Sequence, residues 1–152
     1  MNAEKLTQKS IETVKKAQNI AVMQSNSVIE PIHLLAGLLK QDNGLVPQLL
    51  KKMNINADFL ENETDKQIGL LPKVTGSGRS SNISLSAECD RVLTSAENFA
   101  GNMKDEFVSV EHIMLALIDC SNSIVSKLIK TYNISRDGFL SALMSVRGNT
   151  RV

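Results

Sequence analysis

VIEPIHLLAGLL, at residues 28–39, decides the fold of this chain because it returns as FVSVEHIMLALI at residues 107–118. The only two histidines of the sequence, His33 and His112, occupy the same place in the two copies and lie 79 positions apart. Apolar residues recur in both copies at the three- and four-residue spacing of a helix face that packs into a core. Each copy therefore predicts a core helix.

The duplication extends well beyond this stretch. Residues 7–58 align with residues 86–137 without a gap, and one inserted residue at Gly138 then restores the match. Many of the pairs that differ exchange one apolar side chain for another. A fixed period in the apolar positions marks a duplicated structural unit. The sequence therefore predicts one helical module that occurs twice.

Capping and turn residues divide each copy into four helices. Thr7 can cap the first helix by accepting from a first-turn N–H, and Pro31 suits the first position of the second helix, where its missing N–H costs nothing. The turn at residues 42–44 ends that helix, and no segment alternates with period two for long enough to form a strand. We therefore predict an all-α fold, with two tandem four-helix repeats related by a pseudo-twofold axis in one compact domain.

The domain boundaries follow from the same pattern. Repeat one covers residues 6–70 and repeat two covers residues 85–147. Residues 71–84 are rich in Gly and Ser and lack periodicity, which is typical of a linker. Because each repeat is small for an independent domain, we expect the two repeats to share one core.

The composition excludes several classes of protein. The net charge of +1 gives no electrostatic reason to expect a nucleic acid or an anionic membrane as a partner. No apolar run approaches the roughly 18 residues that span a bilayer, and the first residues lack the pattern of a signal peptide. We therefore expect a cytoplasmic protein, or a fragment of one, that binds neither nucleic acid nor membrane.

A search for catalytic chemistry finds little. The segment GSGRSS at residues 76–81 lacks the Gly-Lys-Ser/Thr ending of a Walker A loop, so we interpret it as part of the linker. Cys89 and Cys120, expected inside helices, are better explained as reduced packing residues than as a disulfide or as ligands of a zinc site. A cysteine nucleophile paired with His112 would lack an orienting third group. We predict no enzymatic activity, cofactor or metal for this chain.

The two histidines and the residues around the second one need separate interpretations. Each histidine falls at the third position of a helix, where an imidazole can bond back to the cap residue, so we predict a structural role for both. Residues 104–111 place two or three carboxylates around the start of a helix. They could be solvated caps beside the helix dipole, or a polar rim beside an apolar groove that binds extended polypeptide.

These paired motifs, E-P-x-H-L-L-x-x-L-L and V-S-V-E-H-I-x-L-A-L, resemble the double Clp N-terminal repeat found at the front of Clp ATPases, the ring-forming AAA+ unfoldases. Three further segments, residues 1–7, 71–74 and 146–148, are similar to the ClpB disaggregase branch of that family. The resemblance covers essentially the whole chain. Residues 148–152 would then begin the tether to the ATPase region.

The resemblance implies a domain that engages unfolded or aggregated clients and helps to deliver them to an ATPase ring. Thr7, Asp105 and Glu111 match positions that the ClpB pattern associates with client engagement, and Leu93 and Phe99 are candidates for an apolar groove between the repeats. ATP and magnesium would bind only in ATPase domains outside this chain. The isolated domain would be a monomer, and the full-length protein would be a hexameric ring that works with a partner chaperone system.

Two other functions stay open at this point. The same repeat could dock dedicated adaptors on a Clp ATPase that partners a protease, as in ClpC or ClpA. A free-standing enzyme or metal protein built on a helical bundle is the third reading, and a metal assay together with a nucleotide-turnover assay would decide it.

Overall fold

The computed structural model describes residues 2–75, 83–148 and 152. These residues form eight α-helices, preceded by a short 3-10 helix at Ala3–Lys5. Repeat one contains α1 Gln8–Met23, α2 Pro31–Leu39, α3 Leu45–Lys52 and α4 Ala57–Gly69. Repeat two contains α5 Ala87–Asn102, α6 Val110–Asp119, α7 Ser123–Thr131 and α8 Arg136–Arg147. The prediction of an all-α fold with four helices in each repeat is confirmed.

Parts of two predicted segments lie outside the described residues. Half of the linker predicted at residues 71–84 falls there, namely residues 76–82, and with it the GSGRSS segment that we distinguished from a phosphate loop. The same holds for residues 149–151 of the predicted tether.

Local capping explains why the first helix of each repeat begins where it does. Thr7 Oγ1 accepts from the N–H of Ser10 at 3.2 Å, as predicted from the sequence. Ser86, at the matching place in repeat two, accepts from the N–H of Cys89 at 3.0 Å. The two repeats therefore start with the same backbone geometry although the cap residues differ.

The backbone path is duplicated at the turns as well. Ser25 and Lys104 both adopt a positive φ, of 58° and 60°, at matching places just after the first helix of each repeat. Asn54 and Asn133 do the same after the third helix, with φ of 61° and 55°. A positive φ costs energy for residues other than glycine, and asparagine tolerates it best. These turns are therefore the same structural element in both repeats.

The centre of the fold is formed by α2 and α6. Every residue of α2 is buried, and so are the first eight residues of α6. Each helix packs against the first helix of its own repeat, and the two also contact each other. Burying one Leu or Ile side chain contributes about 1.5–3 kcal/mol. The buried side chains of the two repeats form one continuous cluster, which confirms that the repeats share a core.

The two repeats also exchange short backbone bridges. Leu6 pairs with Val108, and Leu85 pairs with Ile29, each pair in parallel orientation. Thus the residues before the first helix of each repeat bond to the residues before the second helix of the other repeat. These two isolated bridges are the only β-type pairing among the described residues. The exchange lays the N-terminal segment along the start of α6.

Candidate functional site

Both histidines cap the helices in which they lie. His33 Nδ1 accepts from the backbone N–H of Glu30 at 2.8 Å, and His112 Nδ1 accepts from the backbone N–H of Ser109 at 2.9 Å. The predicted bond back to the cap residue is therefore confirmed for both. Because each Nδ1 accepts from a backbone N–H, it carries no hydrogen, and the hydrogen of each neutral ring lies on Nε2.

The Nε2–H of each histidine binds a polar side chain at the same place in its repeat. His33 donates to Asn26 Oδ1 at 2.8 Å, and His112 donates to Asp105 Oδ2 at 2.7 Å. Burial lowers the pKa of His33 to about 4. Burial also lowers the pKa of His112, against the opposing effect of its bond to Asp105. Both rings are therefore neutral at pH 7.

The two polar partners differ in charge, and their surroundings differ accordingly. Asn26 donates through Nδ2 to the carbonyl of Pro72 at 3.2 Å. Asp105 accepts at Oδ2 from Arg147 Nη2 at 2.5 Å and at Oδ1 from the N–H of Val152 at 3.0 Å. Burial alone would raise the pKa of Asp105, but the bonds from Val152, Arg147 and His112 hold it below its ordinary value. The aspartate is therefore an ionised carboxylate buried beside a guanidinium.

Glu111 completes this acidic cluster. Its residue is only 4% exposed, and its Oε2 lies 3.8 Å from Arg147 Nε, which is an ion pair without a hydrogen bond. That Nε is buried and finds no hydrogen-bond partner in the part of the chain that the structure describes. One guanidinium at the end of α8 therefore holds two carboxylates of the α5–α6 region. This role of Arg147 was not predicted from the sequence.

Thr7 lies beside the segment that contains the predicted site residues Asp105 and Glu111. The N–H of Thr7 donates to the carbonyl of Val108 at 3.0 Å, in the middle of the segment that runs from Asp105 to Glu111. The hydroxyl of Ser10 binds the same carbonyl at 2.9 Å. The bridge between repeats thus joins Thr7 to a segment about 100 residues later that carries two acids.

The structure places the other two candidates differently. Leu93 is 3% exposed and belongs to the core, so a client could touch it only if the packing of α5 opened. Phe99 is partly buried, and the guanidinium carbon of Arg136 lies 5.3 Å from the centre of its ring. Phe107, which the sequence analysis did not single out, is 42% exposed between Asp105 and Glu111. An exposed aromatic ring inside a run of carboxylates was the signal that could have identified it.

The described residues include few of the groups that catalysis requires, such as a metal-binding cluster or a reactive thiol. No group of three or more His, Cys, Asp and Glu residues within residues 2–75 and 83–148 is arranged to hold a metal ion. Both cysteines are free, and burial raises the pKa of the Cys89 thiol to about 12. Cys120 lies just after α6 rather than inside a helix, because α6 ends at Asp119.

Across the described residues, no single helix is long and apolar enough to cross a membrane, and one bent pair, α6 with α7, reaches the required length and composition together.

The Clp repeat (R) N-terminal domain matches residues 5–132, which is most of the chain. The chain belongs to this family. Chaperone protein ClpB of Clostridium tetani is 40% identical to it over 153 residues, which cover all of this chain and 18% of that protein. The resemblance to the Clp N-terminal repeat and to ClpB proteins is thereby confirmed. This Clp N-terminal domain thus spans less than a fifth of the length of that relative.

Solved structures share the fold of this Clp N-terminal domain. The N-terminal domain of Hsp104 from Candida albicans has a TM-score of 0.82 and is 24% identical, covering 96% of this chain and 93% of that one. The N-terminal domain of the caseinolytic protease associated chaperone ClpD from Arabidopsis thaliana has a TM-score of 0.70 and is 17% identical, covering 97% and 98%. At these identities the likeness establishes the fold alone.

Proposed function

We propose that this Clp N-terminal domain engages unfolded or aggregated polypeptide and helps to deliver it to the ATPase ring of a ClpB-type disaggregase. The observation that carries the proposal is the bridge from Thr7 to Val108, which joins Thr7 to the segment from Asp105 to Glu111. Exposed Phe107 lies in that segment and supplies an apolar contact. The similarity to ClpB over the full length of the chain supports the same function.

The burial of each residue indicates which residues can contact a client and which ones position the surface. Thr7 and Phe107 are accessible, so they can meet a client directly. Asp105 and Glu111 are buried, so they position the loop through Arg147 unless the ion pairs open. Extended segments with apolar side chains are the clients that such a surface suits, because an aromatic contact gains most from unfolded chain.

Other candidates belong to the same proposal. Phe99 is partly buried and would offer its accessible part to the client, whereas Leu93 in the core would contribute only if the packing of α5 opened. Affinity should be modest, because ordering a disordered client offsets part of the contact energy.

The wider assembly follows from the same proposal. The isolated domain is a monomer without cofactor or enzymatic activity, and ATP and magnesium bind in ATPase domains outside this chain. The full-length protein is a cytoplasmic hexameric ring that works with a partner chaperone system. Nucleic acids and membranes are not partners.

A second function remains a candidate because the fold does not distinguish it. A chaperone associated with a caseinolytic protease carries the same fold, so the domain could instead dock an adaptor for a ClpC- or ClpA-like ATPase. An adaptor is a folded protein, whereas a disaggregase client is unfolded. Titration with one protein in its native and its denatured form separates the two functions.

Paired substitutions of exposed phenylalanines test the proposed surface. Phe107→Ser should weaken the binding of a permanently unfolded client about tenfold, since a partly exposed aromatic contact is lost. Phe59→Ser is the matched control, because Phe59 is 63% exposed on α4. Fluorescence anisotropy of a labelled client measures both affinities. Equal affinities in the two variants would contradict the proposed surface.

A further inference from the structure

A notch lies where the two repeats meet at α5. Its cavity is about 230 Å³, smaller than the roughly 300 Å³ at which sites for drug-sized molecules begin. Pro31 of repeat one forms one wall, Val92 of α5 another, and the end of α6 with the following loop forms the rest. A volume of this size suits a single side chain rather than a whole ligand.

The matching place in repeat one is filled by a side chain of the protein itself. Gln41 is only 9% exposed, and its Nε2 donates to the carbonyl of Lys9 at 2.8 Å and to Thr13 Oγ1 at 3.4 Å. The helices are close there, because a Cβ on Gly37 would lie 2.7 Å from the carbonyl oxygen of Thr13. Repeat one thus plugs its own notch with a long side chain that ends in an N–H donor.

Repeat two lacks this plug. The 79-residue register places Cys120 at the position of Gln41, Ala116 at that of Gly37 and Val92 at that of Thr13. The short thiol cannot reach across to α5 as the glutamine does. The register also places the main-chain carbonyl of Glu88 where the Lys9 carbonyl receives the glutamine. Repeat two therefore keeps the carbonyl acceptor of Glu88 but lacks a long side chain of its own that could donate to it.

The charges around the notch indicate which side chain would replace the plug. Two carboxylates, Glu88 and Asp119, line it, and Arg91 is the one cation among the described residues that do so. Glu88 accepts from Asn122 Nδ2 at 2.8 Å, and Asp119 lies 3.6 Å from Arg136. Burial first, and then these two carboxylates, raise the pKa of the Cys120 thiol against the opposing hydrogen bonds from backbone N–H groups. The C-terminal end of α6 places further partial negative charge beside the notch.

We propose that this notch receives a lysine side chain of the polypeptide that the domain engages, in place of the glutamine that fills repeat one. The aliphatic stem lies along Pro31, Val92 and Ala116, and the ammonium donates to the Glu88 carbonyl and to the carboxylates of Glu88 and Asp119. The proposal rests on the proposed function, because the lysine belongs to an unfolded client. The notch would thereby add a preference for a cationic side chain to a surface that otherwise favours apolar segments of the client.

Two disordered peptides that differ only at one guest position test the proposal. One carries lysine, and the other carries norleucine, which has the same stem without the ammonium. We expect the lysine peptide to bind about fivefold more tightly, the effect of a partly exposed ion pair, and the difference to shrink at high salt. Equal affinity of the two peptides for the wild-type domain would overturn the notch while leaving client binding intact.

Two variants of the domain test whether the preference for lysine arises at the notch. Cys120→Gln installs the side chain that fills the notch of repeat one and should abolish the difference between the two peptides. If that variant does not fold, the surface variant Glu88→Gln with Asp119→Asn should give the same loss. A lysine preference that survives in the folded variants would overturn the assignment of the site.

A small-compound titration separates this proposal from the proposed function. Nα-acetyl-lysine methylamide, added to the isotope-labelled domain, should shift the backbone amides of Ala116, Cys120 and Ser121, whereas the norleucine compound should shift them far less. If neither peptide binds but the lysine compound shifts these amides, the proposed function fails and the ammonium site stands. If the two compounds give the same shifts, the ammonium site is refuted.

Discussion

The substitution Asp105→Asn converts the charged unit of repeat two into the neutral unit of repeat one. An asparagine can still accept from His112, as Asn26 accepts from His33 at 2.8 Å. What is lost is the charge that pairs with Arg147, whose side chain is only 7% exposed. Removing one partner of a buried ion pair costs about 3–5 kcal/mol. Because Glu111 lies 3.8 Å from the same guanidinium and keeps part of the attraction, we expect a loss of about 2–4 kcal/mol.

Urea and thermal unfolding at pH 7 measure this loss. For a domain of this size, about 3 kcal/mol corresponds to a decrease in melting temperature of roughly 6–12 °C. The second variant is Arg147→Gln, since Gln67 holds the matching place in repeat one once the inserted residue Gly138 is allowed for. Combined with Asp105→Asn, it should cost at least about 1 kcal/mol less than the sum of the two single losses.

Two results would refute this reasoning. A loss below about 0.5 kcal/mol for Asp105→Asn would mean that the carboxylate is not the buried partner of the guanidinium. Single losses that add in the double variant within about 0.5 kcal/mol would mean that the two residues do not interact.

Three further predictions concern stability. His33 has a pKa of about 4 when folded against an ordinary 6.5, so its contribution is complete above pH 6.5 and falls by about 1.4 kcal/mol per pH unit toward pH 4; melting temperatures that stay flat over this range would contradict it. Gly37→Ala should destabilise by about 1–3 kcal/mol, since its Cβ would meet the Thr13 carbonyl, and a neutral effect in urea unfolding would disprove the close approach. Thr7→Ala and its matched control Ser86→Ala should each lose about 1 kcal/mol of capping energy, but only the first should weaken client binding beyond what the melting temperature explains.

The helices could be predicted from the sequence because their signals are local. Pro31 begins α2 and Thr7 caps α1 as predicted, and α7 covers the predicted residues 123–131. The last helix continues one residue beyond the predicted Val146, because the side chain of Arg147 is held by buried carboxylates. Capping and apolar spacing depend on residues within one or two turns, which a single sequence displays.

The bridges and the buried ion cluster could not be predicted in the same way. Which backbone group meets the N–H of Thr7 depends on how two repeats pack, and no local pattern encodes that. Part of the cluster was nevertheless visible in the register. Asn26 and Asp105 occupy the same place, seven residues before a matching histidine, and one neutral and one charged side chain there implied an extra cation in repeat two.

The role of the predicted site residues depended on burial, which the sequence does not report. Asp105 and Glu111 are acids near a helix start, and most such acids are solvated. Their burial follows from Arg147, which approaches from the end of another helix. Leu93 is an aliphatic residue of an amphipathic helix, and the face it occupies turned out to be the core side.

The most direct test of the central claim is a titration of the isotope-labelled domain with a permanently unfolded client, followed through the backbone amide resonances. The account predicts that the amides of Thr7 and of residues 104–111 shift together and saturate at one concentration, and that the native form of the same client leaves them unchanged. Shifts confined to other surfaces, or equal shifts with the native client, would contradict the claim that this region engages unfolded polypeptide.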